Sequence, residues 1–252
     1  MVTLKALVDY TDKLLSTEQF SDYCPNGLQV EGRPEVQRLV SGVTARLELL
    51  EAAIAADADA VLVHHGYFWK GEDARVTGMK RRRLQCLLGS GTSLLAYHLP
   101  LDAHPELGNN AQLARVLGFH PAGCFGDDGG MQLAQYGELS PPVSGQALAR
   151  QLEAQLGRAP LHLPGRETLI QRVGWCTGAA QTYIEAAVEQ GLDAFVSGEV
   201  SEPTFHLARE LGIHYISAGH HATERYGVQA LSLELAARFD LRQQFIDIAN
   251  PV

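Results

Sequence analysis

A chain of 252 residues with 46% hydrophobic content holds enough apolar surface for one large or two smaller cores, which excludes an intrinsically disordered chain. The formal charge of −9 and an isoelectric point near 5.5 exclude nucleic-acid binding by bulk electrostatics, because that mode rests on Lys and Arg neutralising phosphates. Cys24, Cys86, Cys124 and Cys176 form no CxxC pair, so neither a zinc ribbon nor a dithiol redox motif is expected, and reduced thiols in a cytoplasmic protein fit the pattern.

The N-terminal MVTLKALVDYTDKLL carries apolar residues at helical spacing among charges, which predicts a helix over 4–15 and no signal peptide. No apolar stretch reaches membrane-spanning length. Pro25-Asn26-Gly27 reads as a turn into a short strand at 28–30. A strand at 38–42, a helix at 47–56 and a strand at 60–63 then make a βαβ unit. The order continues with a helix at 79–88, whose Lys80-Arg81-Arg82-Arg83 run reads as a solvated face, a strand at 93–98 and a helix at 110–117.

Residues 119–145 are rich in Gly and Pro, as in GCFGDDGGM and SPPVSG, and predict a domain boundary. Helices at 145–156, 180–190 and 203–211 then alternate with strands at 171–176, 194–196 and 214–217. The expected organisation is a first α/β domain over 1–125, completed by 222–252, and a second, related α/β domain over 126–221. Val43-Thr44, Glu51-Ala52-Ala53 and Asp59-Ala60 find counterparts in Cys176-Thr177, Glu185-Ala186-Ala187 and Asp193-Ala194 with one gap, which points to duplication of one α/β unit.

The run VLVHHGYFWK places His64 and His65 at the end of an apolar strand, with Gly66 as a turn residue. His98 ends SLLAYH and is followed four residues later by Asp102; His220 ends HYISAGH and is followed four residues later by Glu224. All six are expected at C-terminal strand ends, where an open α/β sheet forms its ligand crevice. His220 and Glu224 share a helical face at that spacing, whereas Pro100 is expected to route His98 and Asp102 through a loop. Imidazoles and carboxylates without a thiolate suit divalent first-row metals, and the set exceeds what a single ion needs, so two ions are expected. The donors accept Zn, Fe, Mn, Ni or Co alike. His221 is expected to turn away from the site, and His104, His120, His162, His206 and His214 to be ordinary surface or core residues without comparable partners.

VHHGYFWKGE, YHLPLDAHPELGNN, DAFVSGEVSE and AGHHATER resemble the signature segments of the Nif-three-like family, the GTP cyclohydrolase 1 type 2 homologues, and the likeness runs from SDYCPNGLQVEG to FIDIANP. The resemblance implies two related α/β domains in a Nif-three-like fold around a dinuclear metal site, assembled as a toroidal homohexamer. It also implies metal ligands at His64, His65, Asp102, His220 and Glu224, with Glu224 as the bridge, and His98 beside the site as a proton-transfer candidate.

Two ions with open positions can lower the pKa of a bound water and polarise the group it attacks, so the reaction class expected is hydrolysis of a nucleotide or related heterocycle, including C–N bond hydrolysis of the cyclohydrolase type. The catalytic candidates are His98 and Glu199, the latter in SGEVSE at the strand end that the repeat aligns with His65. Glu199 also reads as a carboxylate ahead of a helix N-terminus. The acidic GDDGG is no P-loop, which leaves Lys70, Lys80 or Arg225 for a phosphate. Non-catalytic metal delivery and a protein-interaction hub are the competing readings.

Overall fold

Val61, Leu62 and Val63 have no solvent exposure, and their strand, Ala60–His65, lies inside a sheet covered on both faces. The structure is a computed structural model that describes residues 1–126 and 131–252; of the acidic run GDDGG, all but Gly126 lies outside the described residues. The chain forms two compact units, Met1–Gly108 with Gly227–Ala249, and Asn109–Tyr226 with Asn250–Val252.

Among the described residues the main sheet of the first unit has the order Arg242–Phe245, Arg38–Thr44, Ala60–His65, Ser93–Ala96, Gly27–Val30. Its first four strands are parallel and the last is antiparallel. Because successive residues of a strand face opposite ways, Leu39, Leu62 and Leu95 enter one core while Val40, Val61, Val63 and Leu94 enter the other. Leu4 and Leu7 of the helix Leu4–Leu14 cover the first face, together with Val228, Leu231 and Leu235 of the helix His220–Phe239. Leu49, Leu50 and Ala53 of Leu47–Ala55 and Leu87 of Gly78–Ser90 cover the second. Near-continuous apolar strands follow from burial on both faces.

The sheet of the second unit runs His120–Phe125, Ala134–Val143, Ile170–Cys176, Ala194–Ser197, His214–Ser217, Leu161–Leu163 among the described residues. Its three central strands Ile170–Cys176, Ala194–Ser197 and His214–Ser217 are parallel. The division between units falls at Gly108 and not in the Gly- and Pro-rich stretch around 125. His120–Phe125 pairs with Ala134–Val143, which pairs with Ile170–Cys176, so the residues on either side of that stretch are neighbours in one sheet. His120–Phe125 is the edge strand and largely exposed; its Pro121, a residue tolerated on an edge, reads as a turn residue in a sequence, as do Pro141 and Pro142 of Ala134–Val143.

The internal repeat has a structural counterpart in two aspartates. Asp59 Oδ2 accepts the N–H groups of Gln37 and Arg38, each at 2.9 Å. Asp193 Oδ2 accepts those of Gln171 and Arg172 at 2.9 and 2.8 Å. Asp59 N donates to Arg38 O and Asp193 N to Arg172 O, both at 2.9 Å, and each aspartate carbonyl accepts from the next strand, Ser93 N in one unit and His214 N in the other, at 3.0 Å. The same residue therefore pins the start of three consecutive strands in both units, where a backbone donor would otherwise lack a protein partner.

Candidate metal centre

In the first unit the strand Ala60–His65 delivers a fully buried His64 and a half-buried His65. His64 Nδ1 lies 2.9 Å from the Tyr97 carbonyl. A carbonyl only accepts, so Nδ1 carries the proton and the lone pair falls on Nε2, which stands 3.5 Å from Asp102 Oδ1. Tyr97 is itself held by its hydroxyl, which donates to Asp12 Oδ1 at 2.8 Å. His65 Nδ1 lies 3.2 Å from Thr44 Oγ1, its register partner on the neighbouring strand. The ring centroids of His64 and His65 are 4.6 Å apart, and that of His98 lies 5.1 Å from the first and 5.7 Å from the second. A ligating atom from each of these three histidines falls within 4.8 Å of the others.

Gly66 is required where the pair ends. A Cβ there would lie 2.6 Å from Ala96 Cβ and closer still to Gln29 Oε1. Gln29 Oε1 accepts from Tyr67 N at 2.7 Å and its Nε2 donates to Pro25 O at 2.8 Å, so the amide cannot withdraw cheaply.

The strand Ser93–Ala96 ends two residues before His98, and His98 and Asp102 are joined by a short helix, Leu99–Ala103, rather than by a loop. Pro100 sits in its first turn, where no intrahelical donor is needed, and Asp102 N donates to His98 O at 3.1 Å. Asp102 is 8% exposed.

The second unit carries acidic and imidazole groups of its own. His220 and Glu224 occupy one face of the helix His220–Phe239, with Nε2 and Oε2 3.0 Å apart. Glu199 Oε1 lies 2.7 Å from His220 Nδ1, and the Glu199 carbonyl accepts the Tyr215 hydroxyl at 2.5 Å. Glu199 precedes the helix Glu202–Leu211, but Ser201 caps that helix, so the side chain serves His220 and not the helix end. Gly178, at φ +66°, packs over this pair: a Cβ would overlap Glu224 Oε1 and lie 3.3 Å from His220 Nε2.

Burial alone would push the His220 imidazole down, yet the hydrogen bonds and charges of Glu224 and Glu199 outweigh it and raise its pKa to about 9. A histidine raised from 6.5 contributes stability that is fully present below pH 6.5 and is lost as pH rises through about 9. In metal-free protein the urea midpoint is expected to fall across this window, and His220→Gln is expected to flatten the profile; an equal slope in the variant would rule out the assignment.

Two residues outside the expected set complete the surroundings of His98. Asp22 Oδ1 lies 2.7 Å from His98 Nδ1, and Asn26 Oδ1 accepts the His98 N–H at 2.7 Å. Their signal is present in SDYCPN, where Asp and Asn mark a turn, but nothing in the spacing ties that turn to residue 98. Cys24 adjoins Asp22 and His98; burial, with Asp22 adding to it, pushes its thiol up to about 12, so it remains protonated and is a poor metal ligand.

The remaining histidines are not all isolated. His162 and His214 are stacked with Nε2 and Nδ1 3.0 Å apart, a pairing that corrects the expectation of residues without comparable partners. His104 Nδ1 accepts the N–H groups of Glu106 and Leu107, and His206 pairs on the surface with Glu202. His221 N donates to Val252 O at 3.0 Å. Of the proposed phosphate cations, Lys80 lies 3.4 Å from Glu72 and donates to Asp73 O, and Arg225 donates to Leu156 O.

Residues 2–251 match the family model of Duf34/NIF3 (NGG1p interacting factor 3). The chain belongs to the Duf34/NIF3 family. It is 55% identical over 250 residues to a GTP cyclohydrolase 1 type 2 homolog of Pseudomonas aeruginosa, covering 99% of each chain. The solved structure of protein ybgI, of unknown function, superposes with a TM-score of 0.95 at 52% identity over 100% of both chains. A second solved structure, of a Thermus thermophilus protein, superposes with a TM-score of 0.86 at 34% identity, again over 100% of both chains. The mixed α/β fold is thus that of the NIF3 proteins. Among the described residues no helix is long and apolar enough to cross a membrane.

Proposed function

We propose that this chain is a hydrolase dependent on two divalent metal ions, held by His64, His65, Asp102, His220 and Glu224, with Glu224 as the bridge, and that it acts on a nucleotide or related heterocycle. The observation that carries the reading is the treatment of the imidazoles. In each of His64, His65 and His220, Nδ1 is engaged by a carbonyl, a hydroxyl or a carboxylate. A second partner on one ring nitrogen fixes the orientation of metal-binding histidines and raises their basicity. The donor set is imidazole and carboxylate without thiolate, which fits a first-row divalent ion. The name of the Pseudomonas relative, a GTP cyclohydrolase 1 type 2 homolog, supports cleavage of a C–N bond in a purine-like ring.

When bound, two such ions polarise the bond under attack and bring the pKa of water towards neutrality. Glu199 orients His220 through Nδ1. His98, whose ring packs beside Trp69, His64 and His65, moves the proton.

Metal analysis of purified, unchelated protein is expected to find two ions per chain, and Glu224→Ala is expected to lose both. Loss of a single ion would remove the bridging role. Metal exchange without metal-dependent turnover, across nucleotides, phosphoesters and cyclic amides, would replace hydrolysis by metal delivery.

A further inference from the structure

The Asp22 carboxylate is nearly shut from solvent, at 2% side-chain exposure, beside a His98 ring at 15%, and its surroundings can be accounted for atom by atom. Oδ1 accepts from His98 Nδ1 at 2.7 Å and from Tyr23 N at 2.6 Å. Oδ2 accepts from Asn26 Nδ2 at 2.8 Å and from Leu99 N at 3.0 Å. Asn26 is clamped in turn, because its Oδ1 accepts the His98 N–H. Two backbone donors, one amide and one ring nitrogen thus converge on one carboxylate. Burial alone would raise the Asp22 carboxyl, but His98, Asn26 and Tyr23 N hold it below its usual value, so it is ionised and only accepts.

We infer that Asp22 is a positioning residue for His98: it holds the proton on Nδ1, turns the Nε2 lone pair outward, and so makes His98 the base of the hydrolytic site. An ionised carboxylate that accepts from Nδ1 admits one neutral tautomer, the arrangement in which a buried aspartate prepares a histidine base elsewhere. Groups of the candidate centre also pack against the ring. Trp69 meets it edge to face with centroids 5.0 Å apart, and His64 and His65 lie at the distances given above. Among the described residues, the side-chain hydrogen bond that fixes the plane of the ring is the one to Asp22. The assignment rests on the hydrolase reading for its purpose but not for its geometry.

Asp22→Asn tests it because the amide cannot satisfy both sides. If the NH2 replaced Oδ2, it would face two fixed donors, Leu99 N and Asn26 Nδ2; if it replaced Oδ1, it would face one fixed donor, Tyr23 N, and a ring nitrogen that can shed its proton. The second orientation is preferred, and it moves the His98 proton to Nε2.

The experiment is nitrogen NMR of imidazole-labelled, zinc-loaded full-length protein, with His98 assigned by its absence in His98→Ala. Wild-type protein is expected to show His98 protonated at Nδ1, and Asp22→Asn at Nε2. Metal content is expected to be unchanged, and kcat to fall about 100- to 10,000-fold with little change in KM. A wild-type His98 protonated at Nε2, or a tautomer unmoved by Asp22→Asn, overturns the assignment without reference to any substrate. A tautomer that flips while no variant, nor the wild type, turns over any substrate supports the dyad and overturns the hydrolase reading alone. Should Asp22→Asn fail to fold, the wild-type spectrum still decides the tautomer.

Discussion

His98→Ala is expected to lower metal-dependent turnover by a factor of about 100 to 10,000 while both ions stay bound, the range typical for removal of a positioned acid or base. His98 lies outside the proposed ligand set, and its Nδ1 is committed to Asp22 at 2.7 Å, so under that proposal the metal content stays unchanged. The truncation also leaves Asp22 buried with three donors in place of four, which weakens the fold by about 1.5 to 3 kcal/mol, the value of a hydrogen bond to a charged group. His98→Gln separates the two effects. Its amide N–H can reach towards Asp22, but it offers no basic nitrogen, so stability should recover in part and turnover should not. Rate constants measured at saturating substrate, with metal content determined on the same samples, decide the matter. Unchanged turnover in both variants would remove His98 from the reaction, whereas recovery in His98→Gln would show that packing, not basicity, is what the residue supplies.

Most of the central sheet order was legible because parallel strands buried on both faces leave apolar runs that no surface element imitates: Val61-Leu62-Val63, Leu94-Leu95-Ala96 and Ala194-Phe195-Val196 all declare themselves. Of the edges one was: the Pro25-Asn26-Gly27 turn announces the strand Gly27–Val30. Arg242–Phe245, His120–Phe125 and Leu161–Leu163 were not, because their exposed or mixed burial removes the apolar signal on which periodicity depends. The candidate site divides in the same way. Histidines and carboxylates at strand ends stand out as residue types. Their supports do not, because Thr44, Tyr97, Asp22 and Asn26 act through single hydrogen bonds across the fold, and such a bond leaves no local spacing to read. Gly178 was invisible for a further reason: a glycine over a carboxylate and a glycine in a turn are written with the same letter.

That glycine should prove nearly as sensitive as a ligand. Gly178→Ala is expected to weaken metal binding by at least about 10- to 100-fold, the loss typical when the support of a metal ligand is removed, because the new methyl group occupies the place of Glu224 Oε1. The backbone has little room to yield. Gly178 N donates to Thr223 Oγ1 at 3.1 Å, and Gly178 O receives Gly198 N at 2.9 Å, Ser197 Oγ at 3.1 Å and Glu199 N at 3.2 Å. The carboxylate must therefore move, and with it the contact to His220 Nε2. An alanine at φ +66° also carries about 1 to 2 kcal/mol of left-handed backbone strain wherever it occurs, and this must be subtracted before the site is credited. Gly118 supplies the control, since it has φ +70° and nothing within 4 Å of an added Cβ. Gly118→Ala should show the strain in its unfolding midpoint and bind metal as the wild type does. If Gly178→Ala loses no more affinity than Gly118→Ala, the Glu224 carboxylate does not hold metal from the position in which the fold presents it.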